Sequence, residues 1–203
     1  KIGSMGSTGH STGEHLHYQI ERPDKNGNLI PFNPLGASRN VINNKYRAGD
    51  PSGIDIVKET YTKNTESNPG RAIYFIVVHY TAGVSSKPGS AVNTAKYFAN
   101  QSSASADFIV DDGGIVQYNP DIKNRYTFHC GGSKYNNKGG KLYGKCTNAN
   151  SIGVEMCSSS KDGKMHQPND SNYYFTDAVV NNTKKLVRYL MKTYNISANN
   201  VVR

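Results

Sequence analysis

Histidine and glutamate side chains occur at a few positions of this sequence where they could bind a metal ion or move a proton. His15 and His17 lie two residues apart in Gly-Glu-His-Leu-His-Tyr, and residues two apart on a strand point the same way. The pair can therefore converge on one metal ion, or on a metal and its water. The spacing alone leaves open a plain histidine pair on an exposed strand.

A second set of candidates lies further along the chain. His79 ends the apolar run Ile73-Tyr-Phe-Ile-Val-Val-His79, and a strand end is a rigid mount for a metal ligand. His129 precedes a glycine-rich segment, and Glu155 lies among apolar neighbours. A carboxylate in such a place is costly unless it has a partner or a catalytic task. On position alone, His79 could equally end a strand with a hydrogen-bonded ring.

The elements that must position these side chains alternate between strands and helices. The run from 73 to 79 is apolar on both faces, which predicts a central strand covered by helices on each side. Ser90 can cap a helix that extends to Gln101, with apolar residues at near-helical spacing. Asp-Gly between the apolar runs 107–110 and 115–118 predicts a β-hairpin.

The last part of the chain adds a strand, a helix and the opening of another strand. Residues 151–156 have strand character and carry Glu155. Thr176 and Asp177 can start a helix with an apolar stripe, and Val201-Val202 follows it. These patterns predict the α/β class, with a mixed β-sheet flanked by helices.

A β-rich segment and a polar connection precede this α/β part. Leu16, Tyr18 and Ile20 alternate with polar residues, as in a strand. The composition then turns polar and ends in Gly-Asp-Pro-Ser-Gly, which is typical of an exposed connection. The predicted division is an N-terminal segment, a linker and a second domain, at residues 1–36, 37–53 and 54–203.

The composition limits the partners of the chain. Its formal net charge of +9 favours a polyanion, which could be nucleic acid, anionic lipid or the teichoic acids of a Gram-positive wall. The 24 Lys and Arg residues are scattered, without the basic and aromatic groove that stacks nucleic acid, so we expect no nucleic-acid partner. No apolar run approaches the roughly 20 residues of a membrane span, so we expect none.

The cysteine count leaves the thiol state open. Cys130, Cys146 and Cys157 are an odd number, so at most one internal disulfide can form. Three reduced thiols are the simpler interpretation, and a disulfide between any two of them stays open.

The N-terminal histidine pair lies in a longer motif. Gly-Ser-Thr-Gly-His-Ser-Thr-Gly-Glu-His-Leu-His-Tyr resembles the C-terminal motif of lysostaphin-like zinc endopeptidases of the M23 family. The resemblance implies that His17 binds zinc and that His15 acts in catalysis. The other two ligands of that family, a His and an Asp, would precede Lys1. Residues 1–36 would then be the C-terminal fragment of an M23 domain.

The remaining candidates lie in a second resemblance, which runs from about Ile54 to Arg203. Val-Val-His-Tyr-Thr-Ala, Phe-His before a glycine-rich loop, and Asn-Ser-Ile-Gly-Val-Glu resemble the zinc amidases of the amidase-2 type, the family of the peptidoglycan recognition proteins. The resemblance implies that His79 is the first zinc ligand and Glu155 the catalytic acid and base. It places His129 in the substrate cleft, and Tyr80 and Thr81 could line the same groove.

Two departures from the family pattern affect these expectations. Some members carry a Tyr-His pair where this sequence has Ala106-Asp107, so Glu155 would bear more of the catalysis. The second His and the third ligand of the family, a Cys or Asp, would fall just beyond Arg203.

The amidase resemblance implies a definite reaction. Zinc would keep one position for water, lower the pKa of that water to about 7 and polarise the scissile carbonyl. Glu155 would take the proton from the water and hand it to the leaving amine. The bond implied is the amide between the lactyl group of N-acetylmuramic acid and L-alanine in peptidoglycan.

The two resemblances together indicate a bifunctional wall hydrolase of a phage or prophage. It would act on the bacterial cell wall after release by a holin, as part of a virion, or after secretion. One alternative is a non-catalytic peptidoglycan-binding or virion structural module that keeps the pocket without zinc. Another is that the M23 endopeptidase is the main activity.

Overall fold

The computed structural model describes residues 54–130 and 142–203, and the backbone of two short strands before them. The chain divides into two compact units, Lys1–Tyr46 and Arg47–Arg203. In the first unit, β1 (Ile20–Pro23) pairs antiparallel with β2 (Leu29–Phe32). Most of the strand predicted around Leu16 to Ile20, and the linker predicted at 37–53, lie outside the described residues.

The second unit is built on a six-stranded mixed sheet. The strand order is β12-β5-β9-β6-β7-β3. Only the hairpin of β6 and β7 is antiparallel, and the other neighbours in this sheet are parallel. The bounds are Ile56–Lys58 for β3, Phe75–Tyr80 for β5, Phe108–Asp111 for β6, Gly114–Gln117 for β7, Ser151–Met156 for β9 and Val201–Val202 for β12.

Two small antiparallel sheets lie beside the main one. The first pairs β4 (Thr65–Ser67) with β8 (Arg125–Thr127). The second pairs β10 (Ser159–Ser160) with β11 (Tyr173–Tyr174). The first of these sheets pairs a strand that precedes β5 with a strand that ends two residues before His129.

Two helices cover the main sheet, one on each face. Leu186 and Leu190 of helix α2 (Asp177–Tyr194) pack in the core with inward-facing residues of β5, β6 and β9, such as Ile76. Helix α1 (Ser90–Asn100) buries Ala91, Ala95 and Phe98 toward the sheet. Because successive residues of a strand point to opposite faces, the residues that alternate with Ile76 face α1. The predicted mixed α/β fold with flanking helices is confirmed.

The start of helix α2 follows the sequence pattern closely. Thr176 is its N-cap, and the Thr176 hydroxyl accepts a hydrogen bond from the backbone N–H of Val179 at 3.2 Å. Asp177 in the first turn and Lys192 in the last turn carry the charges that the helix dipole favours. Asn195 ends the helix in the left-handed conformation, with φ 54°. In the described residues, neither helix has the length and apolar character needed to span a bilayer.

The start of helix α1 differs from the prediction. Ser90 is the first helical residue, Gly89 is the N-cap with φ 99°, and no side chain of the cap bonds the helix. The carboxylate of Asp111 does so instead, because its Oδ2 accepts from the N–H groups of Gly89 at 2.8 Å and Ala91 at 3.0 Å. Its Oδ1 accepts from Gly113 in the hairpin turn at 2.8 Å. One buried acid therefore fixes both the helix start and the hairpin.

This arrangement predicts a large effect of a single substitution. Asp111→Ala should lower the free energy of unfolding by about 2 kcal/mol or more, because it leaves helix and turn N–H groups unpaired. Denaturant unfolding measures the change. The matched control is Asp55→Ala at an exposed position, which should change it by less than about 0.5 kcal/mol. Equal effects of the two substitutions would contradict the capping role.

Candidate active site

His79 and Glu155 lie directly beside each other on neighbouring parallel strands. The register of β5 with β9 pairs His79 with Glu155, and Val77 with Gly153. Residues paired in register on adjacent strands point to the same face of a sheet. Both side chains therefore project from the α1 face, near the carboxyl ends of the two strands. The structure brings together the two residues that carry most of the predicted chemistry.

The His79 imidazole has the properties of a metal ligand. Burial lowers its pKa, and a hydrogen bond with the main chain of His129 offsets part of this effect. Its Nε2 atom is buried and has no hydrogen-bond partner among the described residues. A neutral ring that is held at one nitrogen and free at the other is how proteins present histidine to zinc. His79 therefore fits a zinc ion.

The rest of a metal site is not found in the described ranges. Among residues 54–130 and 142–203, no group of three or more His, Cys, Asp or Glu side chains could hold a metal ion. His79 is thus a single candidate ligand there. His15 and His17, the two predicted M23 site residues, lie outside the described residues.

Glu155 has the properties of a general acid and base. Burial raises its pKa to about 7, because the charged carboxylate loses its hydration. It borders a cavity of about 320 Å³ whose other wall is helix α1. The lining residues are Thr81, Gly83, Ser85, Asn93, Thr94, Tyr97 and Phe98. A carboxyl group that titrates near neutral pH beside an open groove can both accept and donate a proton.

The structure separates the two residues predicted to line the groove. Thr81 borders the cavity of Glu155, and its hydroxyl accepts from the backbone N–H of Gly83 and of Ser158, each at 3.2 Å. Tyr80 is the last residue of β5, so its side chain points to the opposite face from His79. The predicted contact of Tyr80 with substrate stays a prediction.

Tyr80 lines a second cavity, of about 540 Å³, together with His79 and with aromatic residues of the chain after β10. Its ring meets those of Tyr173 and Phe175 edge to face, at centroid distances of 6.0 and 5.7 Å. Its hydroxyl accepts the backbone N–H of Asn169 at 2.5 Å. Tyr80 therefore holds the segment after β10 against the sheet.

His129 is enclosed by the protein. Its side chain is 1% exposed, and its ring nitrogens lie 2.8 Å from Thr127 Oγ1 and 2.9 Å from Ser151 Oγ. The ring lies on the backbone of Gly153, where an added Cβ would come within 2.5 Å of His129 Cγ. The predicted contact of His129 with substrate stays a prediction. The ring contacts also fix the main chain of His129, which bonds the His79 ring.

A buried ion pair beneath this site was not predicted from the sequence. The Asp107 carboxylate is fully buried and accepts from the N–H of Gly153 and from Asn119 Nδ2, each at 2.7 Å. Arg71 Nη2 lies 3.9 Å from Asp107 Oδ1, and Arg71 Nη1 donates to the carbonyl of Ser151 at 2.9 Å. Arg71 and Asp107 thus hydrogen-bond the backbone of β9 on the amino-terminal side of Glu155. In the sequence, Asp107 stands out only as a departure from a family motif. Arg71 merely precedes an apolar run, so no local pattern predicts its contact with Asp107.

Comparison with known proteins agrees with this geometry. Residues 69–203 match the model of the N-acetylmuramoyl-L-alanine amidase family of the amidase-2 type. The match covers more than half of the chain, so the chain belongs to this family.

Individual relatives support the same assignment. A protein named as a probable N-acetylmuramoyl-L-alanine amidase of Bacillus licheniformis is 30% identical over 159 residues, which are 74% of this chain and 40% of that protein. The chain thus spans about 40% of the length of this curated relative. A mutant endolysin from Bacillus subtilis is 27% identical with a TM-score of 0.50, over 73% of this chain and 82% of that one. The catalytic domain of XlyA is 27% identical with a TM-score of 0.50, over 73% and 83%.

The contact between Gly153 and His129 predicts a coupled pair of substitutions. Gly153→Ala should lower the free energy of unfolding by about 2 kcal/mol, because the new methyl group overlaps the His129 ring. In a His129→Ala background the same substitution should cost less than half as much, since the ring is gone. Chemical denaturation of the four proteins of this cycle measures the difference. Purely additive effects would mean that the ring does not lie on Gly153.

Proposed function

We propose that this chain is the catalytic part of a zinc-dependent N-acetylmuramoyl-L-alanine amidase that cleaves peptidoglycan. The observation that carries the proposal is the register of His79 with Glu155, which places a buried, free Nε2 atom and a carboxyl group of near-neutral pKa on one face. Family membership and the endolysin-like relatives support the same substrate.

The residues of the chain have separate tasks in the proposed reaction. His79 would hold zinc through Nε2, and the metal would supply a Lewis acid that polarises the scissile carbonyl and makes water more acidic. Glu155 would accept a proton from the attacking water and deliver it to the departing amine of L-alanine. The groove between Glu155 and helix α1 would hold the muramyl group and the stem peptide, because it is open to solvent and borders the acid.

The wider role follows from the proposed substrate. The protein would act on the bacterial cell wall as an endolysin, encoded by a phage or prophage. The net charge of +9 would draw it to walls that carry teichoic acids, in a salt-dependent way. For residues 1–36 we keep the M23 hypothesis, with His17 as a zinc ligand and His15 as a catalytic residue.

Product analysis tests the proposed activity. The full-length protein, incubated with purified peptidoglycan, should release stem peptides with a free L-alanine amino group and leave intact glycan strands. A chelator should abolish this release, and added zinc should restore it. Wall binding without release of amino groups would favour the non-catalytic module. Cleavage within the stem peptide or cross-bridge would favour the M23 endopeptidase.

Glu155→Gln should lower the rate by about 100-fold or more, because the amide cannot shuttle the proton. The rate of the unmodified protein should rise with pH up to about 7, as the carboxyl group loses its proton. The matched control is Glu66→Gln, an exposed glutamate in the separate sheet of β4 and β8, which should keep the rate within about twofold. A Glu155→Gln variant with a normal rate would contradict the assignment.

Stability separates loss of catalysis from loss of folding. Because the pKa of Glu155 is raised in the folded protein, its ionisation removes stability as the pH rises through about 7. Glu155→Gln avoids that ionisation. In metal-free protein the variant should therefore be at least as resistant to denaturant at pH 8 as the parent, and a folding defect would show the reverse.

A further inference from the structure

Two cysteines that the proposed reaction does not use lie in contact. Cys130 Sγ is 3.4 Å from Cys146 Sγ and 3.4 Å from the carbonyl oxygen of Cys146. All three cysteines are free thiols in this structure. A disulfide bond is about 2.05 Å long, so only a small approach of the two sulfur atoms separates the contact from a bond.

The two thiols differ in their readiness to react. The hydrogen bond between the two thiols lowers the pKa of Cys130 to about 7, and the Ser151 hydroxyl acts in the same direction. The same contact raises the pKa of Cys146. Since the thiolate is the nucleophile in thiol exchange, Cys130 is the attacking member and Cys146 the resolving one. Cys130 is also partly exposed, whereas Cys146 is buried.

Cys157 provides a contrast within the same chain. It is 1% exposed, and burial raises its pKa to about 12. The hydroxyl oxygen of Thr94 lies 4.0 Å from its sulfur. A buried thiol of this kind is inert, so the contact of Cys130 with Cys146 is the distinctive feature.

We propose that Cys130 and Cys146 form a redox modification site, at which a small-molecule disulfide converts the two thiols into one intramolecular disulfide. The Cys130 thiolate attacks one sulfur of the small disulfide and releases one small thiol. Cys146 then loses its proton, attacks Cys130 Sγ in the mixed disulfide, and releases the second small thiol. Two protein thiols are oxidised, and one small disulfide is reduced to two thiols.

The new bond would lock a junction next to the candidate active site, where the segment of His129 and Cys130 meets Asn148. The N–H groups of His129 and Cys130 both donate to Asn148 Oδ1, at 2.9 and 2.5 Å, and the His129 main chain bonds the His79 ring. Cys146 lies two residues before Asn148. The disulfide would therefore tie together covalently two stretches that already share this hydrogen-bonded contact. It closes a loop of about 17 residues, which restricts the unfolded chain.

The redox state of the protein's surroundings would decide whether this disulfide forms. Disulfides persist outside the reducing cytosol. If the protein reaches the cell wall, which rests on the proposed function, the thiols present during synthesis would close once it arrives there. The thiol chemistry itself does not depend on amidase activity, so the two proposals fail separately.

Thiol counting tests the site directly. The folded protein is incubated with oxidised glutathione, and free thiols are then counted with Ellman's reagent under denaturing conditions. The count should fall from the 3 of the sequence to one, and peptide mass mapping should show Cys130 joined to Cys146. An unchanged count, a bond that includes Cys157, or a lasting glutathione adduct on the parent protein would overturn the proposal.

Single substitutions separate the roles of the thiols. Cys157→Ser should still form the bond and end with no free thiol. Cys146→Ser should accumulate glutathione on Cys130, because the resolving thiol is gone, and Cys130→Ser should keep both remaining thiols. Adduct formation on Cys146 in Cys130→Ser, at the rate seen for Cys130 in Cys146→Ser, would contradict the assigned order of attack.

Thermal unfolding tests the effect of the bond. The oxidised parent protein should melt higher than its reduced form by roughly 5 °C, and reduction should reverse the shift. Cys146→Ser should show no such increase after the same treatment. A lower melting temperature of the oxidised parent would mean that the bond strains the junction rather than locking it.

Discussion

The in-register parallel pairing of β5 with β9 is the constraint on which the candidate site depends. It sets His79 beside Glu155 and Val77 beside Gly153. A slip of one residue would turn the Glu155 carboxyl group toward the opposite face, into the core that helix α2 covers. The apolar residues on that face, such as Ile152 and Val154, would then lose their burial. The same hydrophobic alternation that stabilises the sheet therefore aligns His79 with Glu155.

Burial shifts the pKa values of His79 and Glu155, and a network of polar contacts supports the backbone around them. The Arg71 and Asp107 pair satisfies backbone groups along β9, and the absence of a side chain at Gly153 admits the His129 ring. That ring in turn fixes the main chain that bonds His79. Loss of hydration then lowers the pKa of His79 and raises the pKa of Glu155. Electrostatics and packing are thus set by the same few residues.

Local patterns in the sequence predicted most of the strands and helices. They could not predict contacts between residues that are far apart in the chain. The strand that leads to His79, the hairpin, and the helix capped by Thr176 are each encoded within about 20 residues, and all were found. The Asp111 cap of helix α1 joins residues 20 or more positions apart, so Ser90 was the wrong choice. The Arg71 and Asp107 pair is likewise a tertiary contact.

The proposed site requires that His79 offer its Nε2 atom to a metal ion on the face that Glu155 shares. A crystal structure of the full-length protein, grown with zinc and measured at the zinc absorption edge, tests it most directly. We expect an anomalous peak at about 2.0–2.1 Å from His79 Nε2, on the side of the sheet where the Glu155 carboxyl group lies. A zinc peak bound elsewhere, with His79 Nε2 enclosed by packed side chains, would contradict it.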